Sequence, residues 1–257
     1  MRRTIVDAAD LEHRVKDMYT RVALEPQARY HFEMGRAMAS RLGYTDEELD
    51  AAPAASIESF AGVGYYFGLA NLRRGEQVVD LGSGSGMDSF IAAHKVGVNG
   101  QVTGIDMTDA QLAKAERLGK EQGFGSVQFR RAFIDATGLS NGCCDVVISN
   151  GVINLSPDKT AVFREAARLL RPGGRLALAD IVTAVPLPET VSCDATLWAA
   201  CIGGAMQRDA YVEAIESAGF TVTAMKPNGE YRFLSRSAQN ATRDYGVHSV
   251  SLLAIRN

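Results

Sequence analysis

The pattern of apolar and polar positions changes character near residue 77. Before it, apolar residues recur at helical spacing over 11–18, 29–42 and 45–49, with Pro26 and Gly43 as punctuation, so short helices are expected there. Thr45-Asp46-Glu47-Glu48 has the form of a capping box that opens the third helix, and Pro53 is expected to close it. From Gln77 onward short apolar runs alternate with segments of helical period. Strands are expected over 77–81, 101–105, 127–130, 144–149, 175–181, 221–225 and 249–255, and helices over 87–96, 109–121, 159–170 and 211–217. Arg171-Pro172-Gly173-Gly174 reads as a turn.

Strands alternating with helices in this way imply an α/β fold, a mostly parallel sheet with helices on both faces. Two connections, 182–208 and 226–247, are longer than a tight α/β loop requires and read as lids. Ligands of open α/β sheets bind beyond the carboxyl ends of the strands. Both lids follow strands at that end, and with the N-terminal helices they are expected to wall a substrate pocket. The expected organisation is therefore a helical cap over 1–58 and a sheet domain over 59–257.

Composition narrows the partners. With 257 residues, a formal net charge of -3 and mixed charges throughout, the chain has no basic stripe, and no nucleic acid partner is expected. No apolar run is long enough to span a bilayer, so no membrane partner is expected. The start, Met1-Arg2-Arg3-Thr4-Ile5-Val6-Asp7, meets an acid at once where a signal peptide would be apolar, and the expected location is the cytoplasm. Cys143, Cys144, Cys193 and Cys201 form no C-x-x-C pair and there is no His cluster at zinc spacing. The thiols are expected to be free, with no metal bound.

Val78-Val79-Asp80-Leu81 runs into Gly82-Ser83-Gly84-Ser85-Gly86, a buried strand breaking into alternating glycines. Gly82, Gly84 and Gly86 allow a sharp bend and close approach to a ligand, and the helix after them would face that ligand with its N-terminus. A dinucleotide fingerprint is G-x-G-x-x-G with an acid about 20 residues on. Here the third glycine comes one position early and an acid precedes the first, the acid-x-Gly-x-Gly-x-Gly pattern of S-adenosylmethionine (SAM) sites. Asp106, ending the second expected strand, is the acid that would accept both ribose hydroxyls, or else a helix N-cap. Asp80 would order the glycine loop or meet the methionine ammonium. Phe133 and Ile134 would sandwich adenine, with core packing the rival role for Ile134. Asn150 either turns its loop or binds ligand.

Taken together, Asp80 to Gly86, Thr103-Gly104-Ile105-Asp106-Met107-Thr108, Ile148-Ser149-Asn150, Val152-Ile153-Asn154-Leu155-Ser156-Pro157-Asp158-Lys159 and Leu197-Trp198-Ala199-Ala200-Cys201-Ile202-Gly203-Gly204-Ala205 resemble class I SAM-dependent methyltransferases, and within them the arsenite methyltransferase branch. The resemblance runs from about Ser59 to the C-terminus. It implies a Rossmann-like seven-stranded sheet with a reversed last strand, SAM as donor with S-adenosylhomocysteine as product, and a cofactor site of Asp80, Gly82, Ser83, Gly84, Gly86, Asp106, Met107, Phe133, Ile134 and Asn150. That branch holds trivalent arsenic on cysteine thiolates. Two of its cysteines are Val63 and Gly151 in this chain, and Cys201 remains, with Cys193 eight positions earlier.

In-line methyl transfer needs alignment and exclusion of water more than a dedicated base. Candidate catalytic residues are Cys201, which can present a soft acceptor or act as a small buried hydrophobe, and Tyr19 and His31 in the helices covering the cofactor, each of which can equally be packing. Tyr65, Tyr66, Trp198, Tyr231 and Tyr245 can form an aromatic wall. The expected partner is a small-molecule acceptor, and the expected state a monomer or homodimer. The competing readings are methylation of an organic acceptor, metalloid or thiol methylation through Cys201, and SAM binding without turnover.

Overall fold

Val78, Val79 and Leu81 are almost wholly buried, and the strand they form, β1 (Gln77–Leu81), lies at the centre of the sheet. A strand buried on both faces has no polar alternation, which is why its sequence reads as one apolar run. The computed structural model describes residues 8–188 and 202–257. Around β1 are β2 (Gln101–Asp106), β3 (Val127–Arg131), β4 (Cys144–Asn150), β5 (Leu170–Thr183), the two-residue β6 (Met206–Gln207), β7 (Phe220–Pro227) and β8 (His248–Arg256). Their order is β3-β2-β1-β4-β5-β8-β7, with β6 beside the end of β5. The pairs among β1 to β5 are parallel, while β8 runs antiparallel to both β5 and β7. This is the expected seven-stranded sheet with a reversed last strand, extended by the short β6.

The helices are α1 (Ala8–Leu24), α2 (Arg36–Leu42), α3 (Asp46–Asp50), α4 (Ala54–Glu58), α5 (Phe67–Ala70), α6 (Met87–Val96), α7 (Asp109–Glu121), α8 (Lys159–Leu169), α9 (Arg208–Ser217) and α10 (Arg236–Tyr245). The capping box forms as expected: Thr45 Oγ1 accepts from Glu48 N at 3.2 Å, and Glu48 Oε2 accepts from Thr45 N at 3.0 Å. Leu11 and Val15 of α1, Met38 of α2 and Ile57 of α4 share one apolar cluster with Phe90, Val146 and Ile148 of the sheet and its helices. Burial against the sheet, rather than propensity, therefore holds these short helices.

Four expectations need correction. The helix expected over 29–42 begins only at Arg36, because Gly35 adopts φ +86° and the chain before it turns. Pro53 does not close α3, which ends at Asp50; it is the N-cap of α4, where a missing N–H costs nothing. The turn at 171–174 lies inside β5: Cys144 pairs with Leu170 and Val146 with Arg175, so the intervening residues bulge out of the ladder. Finally, the connection 226–247 contains α10, capped by Ser235, whose hydroxyl accepts from Ala238 N at 3.2 Å.

Candidate functional site

The glycine loop between β1 and α6 is shaped by its neighbours as much as by its own freedom. Gly82 has φ +78°, and a Cβ there would lie 2.6 Å from Val152 Cγ1. Gly86, with φ +90°, would place a Cβ 2.7 Å from Phe129 Cζ, so it serves close helix-to-strand packing. Gly82 N and Ser83 N both donate to Ile105 O, at 2.8 and 2.9 Å, which folds the loop over the end of β2.

A cavity of about 440 Å³ opens in front of this loop, within the usual range for small-molecule sites. Gly82 to Ser85, Asp80, Asp88, Asp106 and Met107 form its floor, Phe133, Ile134 and Asp135 one end, and Asn150 to Val152 the β4 side. Leu11, Glu12, Val15 and Tyr19 of α1 and the segment from Ser59 to Gly62 complete the lining. Of the residues singled out in the sequence, Asp80, Gly82, Ser83, Gly84, Asp106, Met107, Phe133, Ile134, Asn150 and Tyr19 are thus brought together. Gly86 lies just behind the lining. His31 packs edge-on against Phe32, ring centroids 4.7 Å apart, and is not among the lining residues. Cys193, Trp198 and Cys201 lie outside the described residues.

Three carboxylates of the floor differ in setting. Asp106 Oδ2 accepts from Gly84 N at 2.9 Å and Oδ1 from Thr108 N at 2.8 Å. Burial raises its pKa, and these backbone donors oppose the rise. The Thr108 side chain and the Met107 backbone also donate toward this carboxylate, which lies on the cavity lining. Asp80 is pushed up to about 8 by burial and by the neighbouring Asp88, against the Ser89 hydroxyl that donates to it at 2.6 Å. Asp88 reaches about 6, again through burial, opposed by Tyr66, Tyr44 and Asn150. Tyr44 and Tyr66 hydroxyls each donate to Asp88 at 2.7 Å, and Asn150 Nδ2 at 3.1 Å.

Asn150 does more than turn its loop. Its Oδ1 accepts from Val63 N at 2.8 Å and its Nδ2 donates to Gly64 O at 3.0 Å, tying β4 to the chain ahead of α5. The hub at Asp88 was invisible to sequence reasoning. Its only local signal is an acid in the first turn of a helix, favourable at any helix N-terminus, while its tyrosine partners lie 22 and 44 residues away. Gln111, whose amide reaches both the glycine loop and α1, was missed for the same reason.

Val63 and Gly151, where the resembling branch carries cysteines, face each other: a Cβ on Gly151 would lie 3.2 Å from Val63 Cγ1. Gly151 lines the cavity, and Val63 is buried behind it. Cys143 and Cys144 are not among the lining residues, and burial holds the Cys144 thiol well above its ordinary range. Among the described residues no group of His, Cys, Asp and Glu can hold a metal ion, and no helix is long and apolar enough to cross a membrane.

Ser83 Oγ, also on the lining, is buried without a hydrogen-bond partner. An orphaned hydroxyl, carboxylates and a partly exposed aromatic ring, Phe133, with the Lys16 ammonium 5.1 Å from its centroid, share one lining and fit a ligand with ribose, ammonium and adenine groups.

Residues 72–219 match a family model described as a methyltransferase domain. An arsenite methyltransferase of Halobacterium salinarum is 38% identical over 218 residues, 83% of this chain and 54% of that protein. The chain spans about half the length of the curated relatives it matches, or less. The crystal structure of an arsenic (III) S-adenosylmethionine methyltransferase from Chlamydomonas reinhardtii superposes with a TM-score of 0.64 at 27% identity, covering 87% of this chain and 74% of that one. Geranyl diphosphate C-methyltransferase from Streptomyces coelicolor shares the fold, with a TM-score of 0.67 at 17% identity over 96% of this chain and 98% of that one. The glycine loop, the acid ending β2, the sheet order and these matches agree, and the chain belongs to the class I SAM-dependent methyltransferase family, with arsenite methyltransferases among its sequence relatives.

Proposed function

We propose that the chain methylates a small organic acceptor, with SAM lying along the glycine loop. The observation that carries this reading is that Gly151 lines the cavity with Val63 buried behind it, so neither position offers a thiol. A site for trivalent arsenic needs converging soft ligands, and an apolar contact supplies none.

In this reading Asp106 accepts the two ribose hydroxyls, and Phe133 and Ile134 cover adenine. Asp80 and the orphaned Ser83 hydroxyl meet the amino-acid end. Bound there, SAM supplies the methyl group and a sulfur leaving group. What remains for the chain is to align the acceptor and exclude water, an orientation effect of up to about 7–11 kcal/mol in favourable cases. The helix α1 and residues 59–62 are placed to do this. The described lining holds Glu12, Asp80, Asp88, Asp106 and Asp135 and no Lys, Arg or His.

A second reading, metalloid methylation through Cys201 with Cys193, draws on the relatives named arsenite methyltransferases. Calorimetry with SAM and S-adenosylhomocysteine, followed by turnover of amines, phenols, carboxylates and arsenite, separates the two. Binding of both nucleosides with turnover of an organic acceptor supports the first reading. Arsenite-dependent SAM consumption, lost in Cys201→Ser, replaces it with the second. Binding of neither nucleoside overturns both.

A further inference from the structure

We propose that Gln111 is a positioning residue that registers the covering helix α1 to the glycine loop, so that seating of the cofactor and seating of the helix reinforce each other. This rests on the reading that SAM occupies the glycine loop.

The Gln111 side chain is 1% exposed, lies on the cavity wall and uses both ends of its amide. Its Oε1 accepts from the hydroxyl of Ser85, a residue of the glycine loop. Its Nε2 donates to Tyr19 O, within α1, at 3.0 Å. The path from loop to helix is therefore one side chain long; its bond to Ser85 is buried, where an unmade partner costs most, and its bond to Tyr19 O is half-buried.

One turn further along α7, Lys114 holds the same helix differently. Its ammonium donates to Ala23 O at 3.2 Å and to Ser59 Oγ at 2.7 Å, and Ser59 Oγ donates to Val22 O at 3.1 Å. Ala23 and Val22 belong to the last turn of α1, whose carbonyls have no partners within the helix, and a cation there also complements the helix dipole. Lys114 is not on the cavity lining and does not touch the glycine loop. It anchors α1, whereas Gln111 anchors α1 and reads the loop.

The consequence concerns Leu11, Glu12, Val15 and Tyr19, the α1 residues that wall the cavity. A helix held to the cofactor loop is ordered when the loop is ordered. By thermodynamic linkage, whatever a ligand on the loop adds to the stability of α1, α1 returns to the ligand's affinity.

The test is hydrogen exchange of amides in α1, with and without SAM, in the full-length protein carrying Ser85→Ala, Gln111→Met or Lys114→Met. Wild type is expected to exchange more slowly in α1 when SAM is present. Ser85→Ala is expected to leave ligand-free exchange in α1 near wild type while abolishing the added protection by SAM. Gln111→Met is expected to accelerate ligand-free exchange roughly five- to tenfold, the loss of one hydrogen bond, and to abolish the added protection. Lys114→Met is expected to accelerate exchange but to keep the protection. Full protection by SAM in both Ser85→Ala and Gln111→Met overturns the proposal, as does unchanged ligand-free exchange in Gln111→Met. Lower thermal stability of Gln111→Met with SAM protection intact assigns it a structural role alone and likewise overturns it. If SAM does not bind wild type, the reading of the loop fails, a result distinct from any of these.

Discussion

Asp80 makes SAM affinity depend on pH in a direction that can be worked out in advance. Its folded-state pKa is about 8, raised by burial and by Asp88, against about 3.9 in an unfolded chain. A bound cation favours the ionised carboxylate, so binding expels the proton that free protein holds. For a free-state pKa of 8 and a bound state ionised throughout, Kd falls about twentyfold between pH 6 and pH 7.5. That window lies below the range in which an α-amino group loses its own proton, about 7.7–8.0. Titration calorimetry in buffers of different ionisation enthalpy measures both the affinity and the proton released. Asp80→Asn should bind with little pH dependence and release no proton. A Kd that is flat over the window in wild type, or equally steep in Asp80→Asn, refutes the assignment. The same shift has a consequence for folding. The native protein retains a proton that the unfolded chain gives up near pH 4, so stability associated with Asp80 is greatest below about pH 4 and declines as pH rises through about 8.

Asp106→Ala removes the acceptor for both ribose hydroxyls and should weaken SAM binding about 100-fold, since two hydrogen bonds to a charged group contribute at least about 3 kcal/mol; calorimetry that finds less than a threefold change excludes the role. Gly82→Ala combines φ +78° with a Cβ 2.6 Å from Val152 Cγ1, and urea unfolding should show a loss of about 2–4 kcal/mol. Tyr211→Phe deletes the hydroxyl that donates to the buried Asp180 carboxylate at 2.9 Å. The expected loss is about 2 kcal/mol at pH 8. It should shrink toward pH 5, because Asp180 titrates at about 6, raised by burial, and the neutral acid needs its donors less.

Legibility followed the reach of each signal. The central strands and the helices α6 and α7 lie where periodicity places them, because a strand buried on both faces and a helix buried on one impose patterns within ten or so residues. The helix α10 escaped because its buried residues are only Ala238 and Ala241 and the rest is polar. The segment 171–174 carried a true turn signal, but its neighbours pair across β4 and the turn became a bulge. The glycine loop after β1 and the acid ending β2 were readable as elements of the fold because each is marked by a few neighbouring residues. Asp88, Gln111 and the second role of Asn150 were not, since each is defined by partners from 22 to 106 residues away.

The residues alone established the donor side of this protein. An acid, three spaced glycines and a second strand-end acid form the pattern of SAM sites, and such a pattern is set by a few residues at neighbouring strand ends. Folding was required to show what the acceptor meets. That Val63 lies behind Gly151, that Gln111 bonds both α1 and the glycine loop, and that Tyr44, Tyr66 and Asn150 converge on Asp88 are relations between distant segments. Such relations come into being only when the sheet assembles and excludes water from among them, and no stretch of sequence carries them by itself.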